Sequence, residues 1–382
     1  MAELKRVILL LESSREFGRE LLFGIARYAR LYGPWSFYRE PGDLRPAIPR
    51  LARWSANGII MRNSVIRKEV LALRLPTILA LHGPGRPDYL PAITTNDKAI
   101  TALAGEHLLS RGLRNYAFCG FAGLAWSDDR EYYFRRFVES AGFSLHVYPH
   151  GDGTHPTSWL AERGLMERWI RSLPTPTGIM AANDDRGQHV LEACKAAGVR
   201  VPEDIAVIGV DNDPVVCDLC DPPLTSVALN AEEAGFSAAR LLDALMRGAS
   251  MHGQEIEVRP THVVPRQSTD LLAVGDNDVA AAIRFIRQNA RRRLRVDDVV
   301  KNTSLGRRSL EMHFRNTIHR SIQDEIRRVQ TESIVQMLVS TDMSITEIAD
   351  HFSFTDAMHI SRYFAREKGM GLRDFRKLIR NS

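Results

Sequence analysis

The chain has 382 residues, 44% hydrophobic and 25% charged, with a formal net charge of +5. That length calls for two or three domains, each able to bury a core, and no apolar run approaches membrane-spanning length, which argues against a helical membrane protein. Four cysteines in such a chain make no disulfide framework. The N-terminus enters a strand pattern within a few residues and shows no signal-peptide core, so the expected location is the cytoplasm. Arg6 to Glu12 is a continuous apolar run, as in a buried parallel strand, and Glu16 to Leu31 spaces Phe17, Leu21, Ile25 and Tyr28 along one helical face. Further strands are expected at Gly58–Met61, Pro76–Ala80, Tyr116–Phe118, Gly178–Met180 and Ile205–Val210. Helices are expected at Ala99–Leu109, Arg130–Ser140, Gln188–Ala197 and Glu232–Met246. This alternation implies parallel sheets with helices on both faces, and the size of the region implies two lobes.

A polar stretch around residues 271–278 reads as a linker, separating a domain over 1–270 from one over 279–382. The second domain is patterned differently. Val279–Asn289 reads as a helix followed by Arg291, Arg292, Arg293 and Arg295. Val296–Lys301 and Arg307–Thr317 then form a first helix-turn-helix unit, anchored by Val296, Val299, Val300, Leu310 and Phe314. Glu325–Val339 is a long connecting helix. In the second unit Ser344 and Glu347 make a capping-box pattern, followed by Ile345, Ile348, Ala349 and Phe352 at helical spacing. Thr355 or Asp356 can cap its second helix, which turns Ile360, Tyr363 and Phe364 inward and ends before Gly369. From Asp276 to Ser382 there are 20 Lys and Arg against 14 Asp and Glu, a balance of +6, which leaves 31 and 32 for the rest. A neutral body with a basic helical end is the footprint of a nucleic-acid reader.

The second unit resembles the AraC family in Phe354, Phe364, Arg366, Gly369, Phe375 and Arg376. It departs at Ser353, where that family has Gly, and at Leu372, where it has Pro; the first unit departs at His319, where the family has Gly after the first recognition helix. The first domain resembles the effector domain of LacI-type regulators, relatives of periplasmic sugar-binding proteins. The resemblance rests on the ordered series Thr94-Thr-Asn-Asp97, Ala182-Asn-Asp184, Gly198 to Asp211, Pro222 to Val227 and Val263 to Thr269. A LacI-like sensor joined to an AraC-like reader is the arrangement of the xylose operon regulators.

This resemblance implies a sugar-responsive transcription factor, a homodimer that acts on double-stranded DNA with repeated half-sites. Activation by a pentose is expected, D-xylose first, with RNA polymerase as a possible further partner. A free sugar asks for carboxylate acceptors, an arginine fork and an aromatic face. Asp211 and Asp184, at strand ends, are the candidate acceptors; Arg130 and Trp126 are the candidate fork and face, and Phe17 and Arg19 are further candidates. An ordinary cap, ion-pair or core role is the competing reading for each. On the reader, Arg308, Glu311, Met312 and Arg315 in the first unit and Met358, Ser361, Arg362 and Arg366 in the second are expected to face DNA. Cys217-Asp-Leu-Cys220 is a lone pair with no zinc partner nearby, so no metal or cofactor is expected. The rival readings are a repressor relieved by another small carbohydrate and a non-regulatory sugar-binding protein or enzyme. The sequence carries no phosphate-gripping glycine loop, zinc-protease motif or nucleophile elbow.

Overall fold

The computed structural model describes residues 4–39, 54–62, 67–80, 89–149, 159–249, 253–270, 277–318 and 320–381. The chain divides into two compact units, Met1–Leu109 with Leu113–Asp270, and Ser110–Gly112 with Leu271–Ser382. Most of the proposed linker, residues 271–276, and His319 lie outside the described residues.

The first unit opens with β1 (Lys5–Leu10), α1 (Glu16–Tyr32), β2 (Trp35–Arg39), β3 (Gly58–Arg62), α2 (Arg67–Leu71), β4 (Thr77–Ala80) and β5 (Ala92–Thr95). It continues with α3 (Asp97–Leu109), β6 (Asn115–Cys119), α4 (Ala125–Ser140), β7 (Leu145–Val147), α5 (Trp159–Ser172), β8 (Thr177–Ala181), α6 (Asp184–Ala197) and β9 (Ile205–Val210). It ends with α7 (Pro214–Leu219), β10 (Thr225–Leu229), α8 (Ala231–Met246), β11 (Glu255–Val258) and β12 (Pro260–Val264). The strands form two six-stranded sheets, ordered β11-β5-β4-β3-β1-β2 and β12-β10-β9-β8-β6-β7. Every pairing is parallel except β10 with β12. The apolar runs expected as buried strands are the central ones: β3, β8 and β9 each carry at most one residue that is not fully buried.

Each sheet is the centre of one lobe, and the chain passes between lobes three times, after β5, β10 and β11. The crossing segments are bonded to one another. The Asn96 amide donates to the Val258 carbonyl at 2.8 Å, the Asn230 amide donates to the Arg259 carbonyl at 3.0 Å, and the Asn230 side chain accepts from the Arg259 amide at 2.7 Å. On the first lobe α1 and α8 cross with backbones nearly touching. A Cβ added at Gly24 would stand 1.8 Å from the Glu232 carbonyl oxygen, and one at Gly235 would stand 2.1 Å from that of Leu21. Only glycine permits that approach.

Among the described residues the second unit's elements are all helices: α9 (Asn277–Gln288), α10 (Val296–Val300), α11 (Arg307–Ile318), α12 (Ile322–Ser340), α13 (Ile345–His351), α14 (Ala357–Lys368) and α15 (Leu372–Asn381). Val299, Leu310 and Phe314 are fully buried in one core, and Ile348, Ile360 and Phe364 in another. The long helix α12 serves both, giving Ile322 and Ile326 to the first and Ile334 and Leu338 to the second. Ser344 and Glu347 close the expected capping box, with the Glu347 amide donating to Ser344 Oγ at 3.2 Å. Asp356, rather than Thr355, caps α14 by accepting from the His359 amide at 2.7 Å. Ser353 takes φ 57°, the left-handed conformation that a glycine would adopt freely, at a cost of about 1–2 kcal/mol.

Candidate effector cleft and DNA-reading helices

In a parallel sheet, functional groups collect beyond the strand C-termini. Here both lobes turn those ends toward one cavity of about 200 Å3. The first lobe contributes Leu11, Glu12, Arg15 and Phe17 after β1, Arg62 at the end of β3 and Ala80 at the end of β4. The second contributes Phe121, Leu124, Trp126 and Arg130 after β6, Asn183 and Asp185 after β8, and Asp211 after β9. Among the described lining residues three arginines face three carboxylates, so their charges balance. Phe17, Phe121 and Trp126 supply aromatic surface, with the Phe121 and Trp126 ring centroids 6.0 Å apart.

Asp211 carries the sharpest chemistry. Its backbone sits at φ 101°, a region that L-residues seldom occupy, and Asn212 follows at φ 52°. Such strain is kept where the surroundings fix it, typically at functional sites. The Asp211 amide donates to the Val227 carbonyl at 3.0 Å, which ties the strained residue to β10. Among the described residues no donor is bonded to its carboxylate, so its acceptors are left to the cavity. Burial pushes the carboxyl up to about 6; Arg130 and Arg62 pull it down, and Asp185 and Asp213 push it up.

Arg130 is 3% exposed and fixed from two sides. Its Nε donates to Asp97 at 2.9 Å, its Nη1 donates to the Ala182 carbonyl, and its guanidinium lies 5.2 Å from the Trp126 ring centroid. The helix carrying it begins at Ala125, earlier than the expected Arg130, because Ser127 and Asp128 suit a first turn. Asp97 itself accepts from Thr95 Oγ1 at 2.9 Å, so the buried pair is held by hydrogen bonds at both ends.

Four of the six candidate effector residues, Asp211, Arg130, Trp126 and Phe17, line this cavity; Asp184 and Arg19 do not. Asp184 is 2% exposed and lies beneath Asp211, accepting from Ser226 Oγ and from the Asp213 amide at 2.7 Å. Burial, followed by the charge of Asp211, pushes its carboxyl well above the usual range. Its neighbour Asn183 faces the cavity while accepting from the Arg186 amide at 3.0 Å as the cap of α6. Arg19 donates to Glu16 at 2.6 Å and to Asp213 at 2.8 Å. Asp213 also accepts from the Glu16 amide at 2.9 Å and caps α7 through the Val215 amide at 3.0 Å. Arg15 pairs with Asp185. The start of α1 is thereby bridged to the second lobe by two carboxylates. Arg15, Arg62, Asn183 and Asp185 escape sequence reading because only the cleft brings such distant positions together.

In the second unit Arg308, Met312 and Arg315 are exposed and Glu311 is half-buried on α11; Met358, Arg362 and Arg366 are exposed and Ser361 is half-buried on α14. Met312 and Met358 are apolar side chains left 54% and 63% exposed beside buried anchors. Cys217 and Cys220 are buried in the core of the second lobe.

Two family models match the chain: a periplasmic binding protein-like domain over residues 106–269 and a helix-turn-helix domain over residues 299–378. The xylose operon regulatory protein of Escherichia coli K12 is 30% identical over 371 residues, covering 94% of each chain. That of Haemophilus influenzae is 28% identical over 380 residues, covering 97% of this chain and 98% of its own. A solved structure of the xylose-binding transcription activator xylR covers 99% of both chains at 27% identity with a TM-score of 0.64. The order of lobes and reader, and identity of that level along nearly the whole chain, place this protein in the family of xylose operon regulatory proteins.

Proposed function

We propose that this chain is a transcriptional activator of pentose catabolism genes that binds D-xylose in the cleft between its lobes and reads DNA with α11 and α14. One observation carries the effector half: a strained Asp211 to whose carboxylate no described residue donates, inside a small cavity whose described lining charges balance. An uncharged ligand rich in hydroxyls satisfies that carboxylate and leaves the balance intact. The cavity lies below the ~300–1,000 Å3 usual for drug-sized ligands, which suits a monosaccharide. Asp211 and Asn183 accept from sugar hydroxyls, Arg130 donates, and Trp126 and Phe17 cover the C–H face of the ring. Asp184 and Arg19 act through neighbours rather than by touching the sugar. The name of the xylose-binding relative supports the choice of sugar.

On DNA, Arg308, Arg315, Arg362 and Arg366 fork to base edges or phosphates. Met312 and Met358 reach thymine methyls, and Glu311 and Ser361 complete the two reading faces. The two units of one chain occupy successive stretches of major groove about one helical turn apart. A homodimer fits a repeated operator, and Phe23, Leu31, Tyr32 and Phe37 are large apolar side chains left exposed on α1 and β2. RNA polymerase is the further partner that activation requires, and the cytoplasm is where these contacts are made. The chain is not an enzyme on this reading.

A thermal-shift series with pentoses and hexoses tests the effector half, since a ligand that binds the folded state raises the melting temperature. D-xylose is expected to raise it and Asp211→Ala to abolish the shift. Stabilisation by a hexose alone would overturn the choice of sugar, and no shift with any sugar would overturn the cleft assignment.

A further inference from the structure

A second polar cavity, of about 190 Å3, lies within the helical unit beside α14. Its chemistry differs from that of the effector cleft. Arg293, Arg327 and Arg366 line it together with Gln323, His359 and Tyr363, and no aspartate or glutamate is among the described lining residues. The three arginines come from three elements: the connection between α9 and α10, the long helix α12, and α14. Nearby acids take only part of this charge, with Arg366 Nε donating to Glu367 at 3.1 Å and Arg327 Nη1 standing 3.8 Å from Asp324. Arg327 is placed by its own backbone, whose carbonyl accepts from the Tyr363 hydroxyl at 3.1 Å. Arg366 is placed by the Tyr363 ring, with its guanidinium 5.6 Å from the centroid. Such a cavity favours an anion over a neutral ligand.

Its position says which anion. With about 100° between successive residues of a helix, Met358, Arg362 and Ala365 fall on the edge of α14 opposite the buried Ile360 and Phe364. His359, Tyr363 and Arg366 fall along one flank, and that flank is a wall of this cavity. A helix seated in a major groove about 12 Å wide has a phosphodiester strand running along each flank. We infer that Arg293, Arg327 and Arg366 form the seat of one such strand, so that a single run of phosphates is gripped by residues from both helix-turn-helix halves. This rests on the proposal that α14 reads DNA. It adds that Arg327, on the connecting helix, is a phosphate contact and carries no sequence preference.

Salt-dependent binding of the full-length protein tests the seat. Two probes are used: a short duplex selected by the protein from a random pool, and a random-sequence duplex of equal length. Arg327→Ala and Arg293→Ala are each expected to weaken binding to both duplexes by the same factor, about tenfold. Each is expected to lower the slope of log affinity against log salt by about 1, the value for one lost phosphate contact. Arg327→Lys, which keeps the charge, retains the slope. Arg362→Ala changes the ratio between the two duplexes instead. Slopes unchanged in both alanine variants, or a loss confined to the selected duplex, would overturn the seat while leaving the reading helices in place. Inorganic phosphate that raises the melting temperature through Arg327 with no change in slope would also overturn it, assigning the cavity to a small anion. A wild-type protein that binds neither duplex overturns the reader assignment, and the seat with it.

Discussion

The bridge between the lobes at Asp213 makes a quantitative prediction. Its carboxylate takes one donor from its own lobe, the Val215 amide at 3.0 Å, and two from the other, the Glu16 amide at 2.9 Å and Arg19 Nη2 at 2.8 Å. The Asp213 side chain is 3% exposed and that of Arg19 27%, so solvent screens the pair only in part. A hydrogen bond to a charged group is worth about 1.5–3 kcal/mol. Arg19 also bonds Glu16 at 2.6 Å, an interaction that survives opening, so the cross-cleft share of Arg19 is about 2 kcal/mol. Only the bridged arrangement contains it. Arg19→Ala therefore shifts the balance toward separated lobes by about 2 kcal/mol, or roughly 30-fold. An effector that needs both lobes loses apparent affinity by up to that factor. Isothermal titration with D-xylose measures the affinity, and small-angle scattering without sugar measures the separation. Asp213→Ala adds the loss of the α7 cap, about 0.5–2 kcal/mol, and so lowers thermal stability further while affecting affinity similarly. If Arg19→Ala lowers the melting temperature yet leaves the D-xylose affinity within about twofold, the bridge is structural only and the linkage to effector binding is refuted.

Three other outcomes follow from features of the two units. Asp211 is pushed up to about 6 by burial, so its ionised form is disfavoured in the folded state. The destabilisation it causes is fully present above about pH 6 and fades toward the unfolded value near 4, so Asp211→Asn is expected to gain stability at pH 7–8 but not near pH 4. With Asp211 as the proposed sugar acceptor, titrations from pH 8 to 5 should show effector affinity falling below about pH 6, by at most tenfold per unit, in wild type but not in Asp211→Asn. Gly235→Ala would place a Cβ 2.1 Å from the Leu21 carbonyl oxygen, and chemical denaturation should show a loss of about 3 kcal/mol or more as α1 and α8 are forced apart. Ser353→Gly relieves the φ 57° turn and should stabilise the helical unit by about 0.5–1 kcal/mol once the entropy of a freer unfolded chain is subtracted, with a measurable rise in melting temperature.

The sequence was most readable where burial is uniform. β3, β4, β8 and β9 are apolar on both faces because helices cover both, and a run of that kind has few other interpretations. The edge strands were not readable. Trp35–Arg39, Leu145–Val147 and Glu255–Val258 expose part of each strand and mix polar with apolar residues, so neither period stands out. In the reader the caps were explicit, and Ser344, Glu347 and Gly369 fell where hydrogen-bond chemistry requires. In the cleft the rule that strand C-termini carry function pointed to Asp211, and the family resemblance pointed to Arg130; both line the cavity. The rule could not say which of two successive residues turns toward the cavity. Asn183 does and Asp184 does not, because Asn183 is the cap of α6 and Asp184 is drawn beneath it by Ser226 and the Asp213 amide. The pairing of Arg15 with Asp185 depends on two lobes meeting, and no local pattern encodes it.

The three passages between lobes have a consequence for how such a sensor can be rebuilt or inherited. Neither lobe is a continuous stretch of chain: the first needs residues on both sides of the second, and β11 and β12 are neighbours in sequence that belong to different sheets. Exchanging one lobe for that of another regulator would take cuts near Asn96, Asn230 and Arg259 made together, each through a backbone bonded to another crossing. A single cut after Asp270 leaves both lobes on one fragment, together with Ser110–Gly112, which group with the second unit. The pair of lobes is thus one continuous stretch of chain while neither lobe is, so a sensor of this architecture travels as an indivisible cassette that can be set before a reader of another lineage.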